Sequence, residues 1–102
     1  VIVETSVFTR RITELMTDDE YREFQAALIV QPDMGAIIQG SGGLRKMRWK
    51  FAARGKRGGI RVIYYWLLQD DHIRMLYAYS KNDQADLTPD QLRQLRTIVE
   101  RW

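Results

Sequence analysis

Phosphate binding is the chemistry that the most unusual residues of this sequence could perform. Eight of the 16 basic residues fall in one central segment, and no acidic residue lies between Asp33 and Asp70. Guanidinium groups bind phosphate bidentately, ammonium groups bind it as point charges, and localised positive charge attracts polyanions. A solvated basic hairpin is the alternative interpretation. The eight residues are Arg45, Lys46, Arg48, Lys50, Arg54, Lys56, Arg57 and Arg61.

Strand alternation would gather several of these cations on one face of a sheet. In the segment 44–51 (LRKMRWKF), Met, Trp and Phe alternate with Lys46, Arg48 and Lys50, so these three cations face away from the core. Arg61 enters the next, nearly apolar strand, and burying its charge is costly unless it is paired or borders a cleft. We therefore expect Arg61 to project beside them on an open sheet face.

The aromatic residues of the same strands allow two interpretations. Side chains on an open face could stack on unpaired bases, which favours RNA as the ligand over a small anion. Aromatic residues at strand spacing are, however, more often part of the core. A tyrosine hydroxyl at the sheet edge could in addition donate a proton. The residues concerned are Tyr64, Tyr65, Trp66, Tyr77 and Tyr79.

Several other kinds of site are excluded or weakly supported. The absence of cysteine excludes disulfides and thiolate chemistry, and a single histidine, His72, excludes a two-histidine ribonuclease. A metal site at Asp70, Asp71 and His72 is disfavoured because adjacent strand residues diverge. The acids of segment 83–90 straddle a helix start, where they act as local caps. We expect no metal and no cofactor.

The elements that must position these residues follow the order β-α-α-β-β-β-α. A strand opens the chain, and two helices follow, the second with a capping box from Thr17 to Glu20. Three strands then form a meander, and Thr88 caps a C-terminal helix. Helices clustered early and a later run of strands indicate an α+β fold, with an antiparallel-rich sheet and the two N-terminal helices on one face.

Length and composition indicate one domain over residues 1–102, with 45% hydrophobic residues. The longest apolar run, Val62–Leu68, has the length of a strand and not of a membrane helix. We find no signal peptide, so a cytoplasmic location without membrane association is the default expectation. Because the first residue is valine, we expect that the natural N terminus has been trimmed.

Three segments, in this order after two early helices, resemble the RelE superfamily of toxins, and its HigB-type branch most closely. They are GSGGLRKMRW, GKRGGIRVIYYWL and YAYSKNDQADLTPDQ. The similarity runs from about Phe8 to the final helix. It implies a curved antiparallel sheet and a toxin that binds translating ribosomes (16S rRNA) and cuts mRNA in the decoding site. It also implies a cognate antitoxin of the helix-turn-helix kind, through which alone the toxin would reach operator DNA.

The resemblance assigns site residues position by position. The basic sheet residues of the family fall on Lys46 and Arg48, its phosphate-binding arginine on Arg61, and Lys81 matches one member of a basic pair. Asn82 departs from that pair, and the following QADLT lacks the tyrosine of RelE. Tyr79, Tyr65 or Lys81 are then alternative acid–base groups. The implied RNA- or ribosome-binding residues are Arg45, Lys50, Arg54, Lys56, Arg57 and Asn82.

The implied reaction is attack by the 2′-OH of the RNA itself, without a metal. It requires a base, which a lysine among cations such as Lys46 or Lys81 could supply, an acid for the leaving oxygen, and positive charge around the phosphate. Two alternatives remain: a toxin of the same fold that poisons DNA gyrase, and a non-catalytic RNA-binding module. The first makes Lys46, Arg48 and Arg61 dispensable, and the second predicts salt-sensitive binding without cleavage.

Overall fold

The computed structural model describes residues 1–49, 59–69 and 72–101. Within these residues the predicted order of elements is confirmed, with one additional short strand. The predicted RNA-binding residues Lys50, Arg54, Lys56 and Arg57 lie outside the described residues. The elements are β1 (Ile2–Glu4), α1 (Ser6–Leu15), α2 (Asp18–Val30), β2 (Ala36–Ile37), β3 (Arg45–Trp49), β4 (Ile60–Leu67), β5 (His72–Ser80) and α3 (Pro89–Arg101).

The five strands of the described chain form one mixed sheet in the order β1-β5-β4-β3-β2. The neighbours β2–β3, β3–β4 and β4–β5 are antiparallel, whereas β1 runs parallel to β5. The α+β class and the antiparallel-rich sheet are thus as predicted. The additional strand β2 is only two residues long, too short for alternation to reveal it in the sequence.

Side-chain caps define where the helices begin. The Thr17 hydroxyl accepts from the Glu20 N–H while the Glu20 carboxylate accepts from the Thr17 N–H, so the predicted capping box of α2 is confirmed. Thr88 and Gln91 make the same reciprocal pair at the start of α3. Each box satisfies two amides that the helix itself leaves without a partner. Among the described residues, no helix is long and apolar enough to cross a membrane.

Apolar side chains cover both faces of the sheet. Buried residues of α1 and α2, including Phe8 and Phe24, pack on the face that carries Met47 and Val62. On the opposite face, Leu95 of α3 packs against a second cluster that includes Ile63 and Leu76. The two N-terminal helices therefore share one face, as predicted, while α3 and its cluster cover part of the face that we had expected to be open.

A buried tyrosine fixes the turn that follows α2. The Tyr64 hydroxyl donates a hydrogen bond to the Pro32 carbonyl (2.6 Å) and accepts one from the Gly35 N–H (2.8 Å). A Cβ atom on residue 35 would lie 2.9 Å from the hydroxyl oxygen, so only glycine fits there without a shift. Burial raises the pKa of Tyr64. Tyr64 is therefore a core residue, the second of the two interpretations of the aromatic residues, and its ring is unavailable for stacking on RNA.

Replacing Tyr64 by phenylalanine should lower the free energy of unfolding by about 1–3 kcal/mol, because the buried Gly35 N–H and Pro32 carbonyl lose their partner. Urea unfolding followed by tryptophan fluorescence measures this change. Tyr65→Phe is the matched control, since the Tyr65 hydroxyl makes neither bond. Equal midpoints for both variants would contradict the anchoring role of Tyr64.

Candidate functional site

Strand register brings four of the predicted site residues together on one face of the sheet. Arg48 of β3 lies directly opposite Arg61 of β4, and Arg61 lies directly opposite Tyr79 of β5. Lys46 precedes Arg48 by one full strand repeat and so shares its face. Directly opposed residues have Cβ atoms about 4.5–5.5 Å apart, so Arg61 is the direct neighbour of both Arg48 and Tyr79.

Lys46, Arg48, Arg61 and Tyr79 form what we call the cationic row. Its two arginines differ in exposure. Arg48 is exposed, whereas Arg61 is only 6% exposed. The expectation that Arg61 would line an open face was therefore wrong, because the fold covers this residue almost completely. Like charges directly opposite each other repel, and an anion that contacts both guanidinium groups relieves that repulsion.

Asp86 lies beside these residues, and the sequence interpretation did not place it there. Its Oδ1 accepts from Lys46 Nζ at 3.2 Å, from the Leu87 N–H at 2.8 Å and from the Tyr79 hydroxyl at 3.5 Å. The Leu87 N–H and the Lys46 ammonium hold the pKa of Asp86 below its usual value. From the sequence alone Asp86 is one of the acids of segment 83–90 near a helix start; the available signal was that it lies in YAYSKNDQADLTPDQ, one of the three segments that carry the resemblance.

A carboxylate beside Lys46 also changes the interpretation of that lysine. The sequence suggested a lysine surrounded by cations, which would favour a neutral amine able to act as a base. In the structure the ammonium group instead donates to Asp86. Lys46 therefore lacks the purely cationic surroundings that were the reason to consider it as the base.

Tyr79 is fully buried in the second apolar cluster, with its hydroxyl at the site. Burial and the nearby negative charge of Asp86 raise its pKa to about 12, against a smaller opposing effect of Arg61. At neutral pH Tyr79 is therefore a protonated phenol that can donate a proton or a hydrogen bond. The ring of Tyr79 belongs to the core and is not a stacking surface, whereas its hydroxyl lies near the charged groups of Asp86 and Arg61.

A network of amides holds the segment that carries Asp86. The Gln84 side-chain amide donates to the Asp86 carbonyl (2.8 Å) and to the Gln91 side-chain oxygen (2.9 Å). The same Gln91 oxygen accepts from the Thr88 N–H, which ties the segment to the first turn of α3. Asp86 thus has a defined position relative to the strand residues.

The remaining predicted residues lie at different distances from this row. Lys81 and Asn82 are exposed at the end of β5, and the Lys81 N–H donates to the Gly59 carbonyl at 3.4 Å, which keeps both near the start of β4. Tyr65 lies further along β4, opposite Arg74, and packs on the second apolar cluster. The structure therefore does not bring Tyr65 to the cationic row.

Arg45 lies on the face that is covered by α1 and α2. Its guanidinium donates to the Gly35 carbonyl at 2.8 Å and lies 5.9 Å from the centre of the Trp66 ring. It is thus separated from Lys46 and Arg48 by the sheet itself. Within the described ranges, no group of three histidine, cysteine or acidic residues is placed to hold a metal ion.

Comparisons with known proteins agree with this architecture. A family model described as the RelE toxin of the RelE/RelB toxin–antitoxin system matches residues 5–102. A chain in the crystal structure of the intact E. coli RelBE toxin–antitoxin complex is 8% identical, with 78% of this chain and 93% of that chain covered and a TM-score of 0.60.

Two structures of free E. coli RelE give the same result. An arginine double mutant in the free state is 8% identical, with 96% and 94% of the two chains covered and a TM-score of 0.64. The isolated toxin in its P21 crystal form is 11% identical, with 95% and 96% covered and a TM-score of 0.60. At these identities the structural likeness shows a shared fold.

Proposed function

This chain belongs to the RelE toxin family of toxin–antitoxin systems, and from that membership we propose that it is a ribosome-dependent mRNA endonuclease of the HigB-type branch. It would inhibit translation by cleaving mRNA in the decoding site. The observation that carries the proposal is the row Arg48–Arg61–Tyr79, with Lys46 one repeat away, on one face of the sheet. Such a row combines phosphate-binding cations with a proton donor.

In the proposed reaction the 2′-oxygen of the RNA forms a bond to the adjacent phosphorus while the bond from phosphorus to the 5′-oxygen breaks. Arg48 and Arg61 stabilise the charge of the crowded phosphate. Tyr79, which is protonated at neutral pH, gives its proton to the leaving 5′-oxygen. Lys81, in its neutral amine form, is the better candidate to receive the 2′-OH proton, since the Lys46 ammonium already donates to Asp86.

The partners follow from the same proposal. The toxin would act in the cytoplasm on ribosome-bound mRNA, with 16S rRNA as its docking surface and no metal or cofactor. A cognate antitoxin, of the helix-turn-helix kind, would neutralise it and connect it to operator DNA. A chain that shares this fold occurs in the intact E. coli RelBE toxin–antitoxin complex, which supports that partner.

The proposal is tested by mapping the 3′ ends of a reporter mRNA in a translating bacterial extract. We expect in-frame cuts that disappear when ribosomes are removed. Lys46→Ala should slow cleavage about 10- to 100-fold, the effect of losing one hydrogen bond to a charged group. Arg22→Ala is the matched control, because Arg22 is an exposed cation of α2 on the other side of the sheet.

Two results would contradict the proposal. If the mRNA stays intact while the protein still arrests growth, the result would favour a toxin that poisons DNA gyrase. Ribosome or RNA binding that weakens with salt, without any new 3′ ends, would instead identify a non-catalytic RNA-binding module.

A further inference from the structure

Asp86 is a negative charge in the middle of a site built to bind an anion. Its Oδ1 lies 3.2 Å from Lys46 Nζ and 3.5 Å from the Tyr79 hydroxyl, so one oxygen joins the two polar groups that flank the arginine pair. The side chain is 67% exposed, and the side chain of Lys46 is 26% exposed. A solvated pair of this kind contributes little to stability, so its effect must be sought in geometry.

The backbone around Asp86 keeps this oxygen in place. The Leu87 N–H donates to it at 2.8 Å, and Gln84 holds the Asp86 carbonyl while Gln91 bonds the Thr88 N–H. Since Thr88 and Gln91 form the capping box of α3, the carboxylate is coupled to the helix terminus. It can therefore act as a fixed point for the longer, more mobile Lys46 side chain.

We propose that Asp86 is a positioning residue, which holds the Lys46 ammonium and the Tyr79 hydroxyl on the same side of the Arg48–Arg61 pair. This role rests on the proposed mRNA cleavage. Lys46 has three N–H donors, of which one goes to Asp86, so two others can donate to a phosphate. Lys46, Arg48 and Arg61 together exceed the charge of Asp86 by two, so the site still attracts the phosphate.

The proposal predicts a change in Tyr79 that does not depend on activity. The carboxylate of Asp86 favours the protonated phenol, through its negative charge and through the hydrogen bond that it accepts. Removing the charge should therefore lower the pKa of Tyr79. If Asp86 had only a structural role away from Tyr79, its replacement would leave the titration of Tyr79 unchanged.

Asp86→Asn is the informative variant, because its amide oxygen can still accept from the Leu87 N–H while the charge is lost. Asp83→Asn, an exposed acid of the same segment, is the matched control. We expect Asp86→Asn to slow single-turnover cleavage of ribosome-bound mRNA about tenfold at unchanged affinity for ribosomes. We also expect the Tyr79 titration, followed by NMR of ring-labelled tyrosine and assigned with Tyr79→Phe, to move to lower pH.

The outcomes separate this role from the proposed function. If the wild-type protein cleaves and Asp86→Asn matches Asp83→Asn in rate and titration, the positioning role is wrong and the nuclease stands. If Asp86→Asn cleaves faster than the wild type, the carboxylate competes with substrate phosphate, which also overturns the positioning role. If the wild-type protein cleaves no mRNA, the nuclease proposal falls, and this role falls with it.

Discussion

Replacing Arg61 by alanine is expected to slow cleavage of ribosome-bound mRNA by about 100- to 1,000-fold. Removing one preorganised donor from the charge-stabilising part of an active site typically has an effect of this size. Arg61 lies between Arg48 and Tyr79 in the strand register, and at 6% exposure the residue is almost completely enclosed. Because burial already restricts the side chain, ordering it for the transition state has only a small entropic cost.

Two further variants separate charge from geometry at this position. Arg61→Lys keeps a cation but loses bidentate binding, so its rate should fall between those of the wild type and Arg61→Ala. Arg61→Met keeps much of the buried volume without a charge and should be as slow as Arg61→Ala. Cleavage by Arg61→Met at the rate of the wild type would contradict the phosphate-binding role, and thermal unfolding of each variant checks that it is folded.

The strands and helices of this protein were predictable where the determinants are local. Alternation in the segment 44–49 placed Lys46 and Arg48 opposite Met47, and the structure has them on opposite faces. The capping boxes at Thr17 and Thr88 were equally visible, because they need only residues three positions apart. Strand β2 was missed, since two residues are too few for any periodicity.

The candidate site was predictable only in part, because it depends on contacts between distant segments. Lys46 and Asp86 are 40 residues apart, and their contact requires both the β3–β4–β5 register and the path of the segment before α3. The burial of Arg61 was mispredicted for a related reason: alternation gives the direction of a side chain but not what covers it. Strand alternation was enough to predict that the cations share a face, whereas no local pattern predicted that Asp86 would lie beside them.

Tyr79→Phe is expected to slow cleavage about 100- to 10,000-fold, the usual contribution of a positioned general acid. The ring remains in the apolar cluster, so only the hydroxyl is lost. Tyr65→Phe is the control, because Tyr65 lies further along β4, opposite Arg74. If Tyr79→Phe cleaved as fast as Tyr65→Phe, another group would have to protonate the leaving oxygen.

The raised pKa of Tyr79 also predicts how the stability of the folded protein changes with pH. Burial and Asp86 raise the pKa of Tyr79 to about 12, from an ordinary value of 10.0, so folding favours the protonated phenol. The resulting stabilisation is fully present below pH 10.0 and is lost as the pH rises through about 12. Urea unfolding at a series of alkaline pH values should show a decline that is steeper for the wild type than for Tyr79→Phe.

The same pKa constrains the role of Tyr79 in catalysis. A phenol that stays protonated through neutral pH can act as an acid but not as a base, so ionisation of Tyr79 should not limit cleavage between about pH 7 and 9. Profiles of single-turnover rate against pH should thus have the same shape in this range for the wild type and Tyr79→Phe, at very different heights. A rise in the wild-type rate toward pH 9 that is absent from Tyr79→Phe would show instead that the tyrosinate is the active form, and that Tyr79 takes the 2′-OH proton.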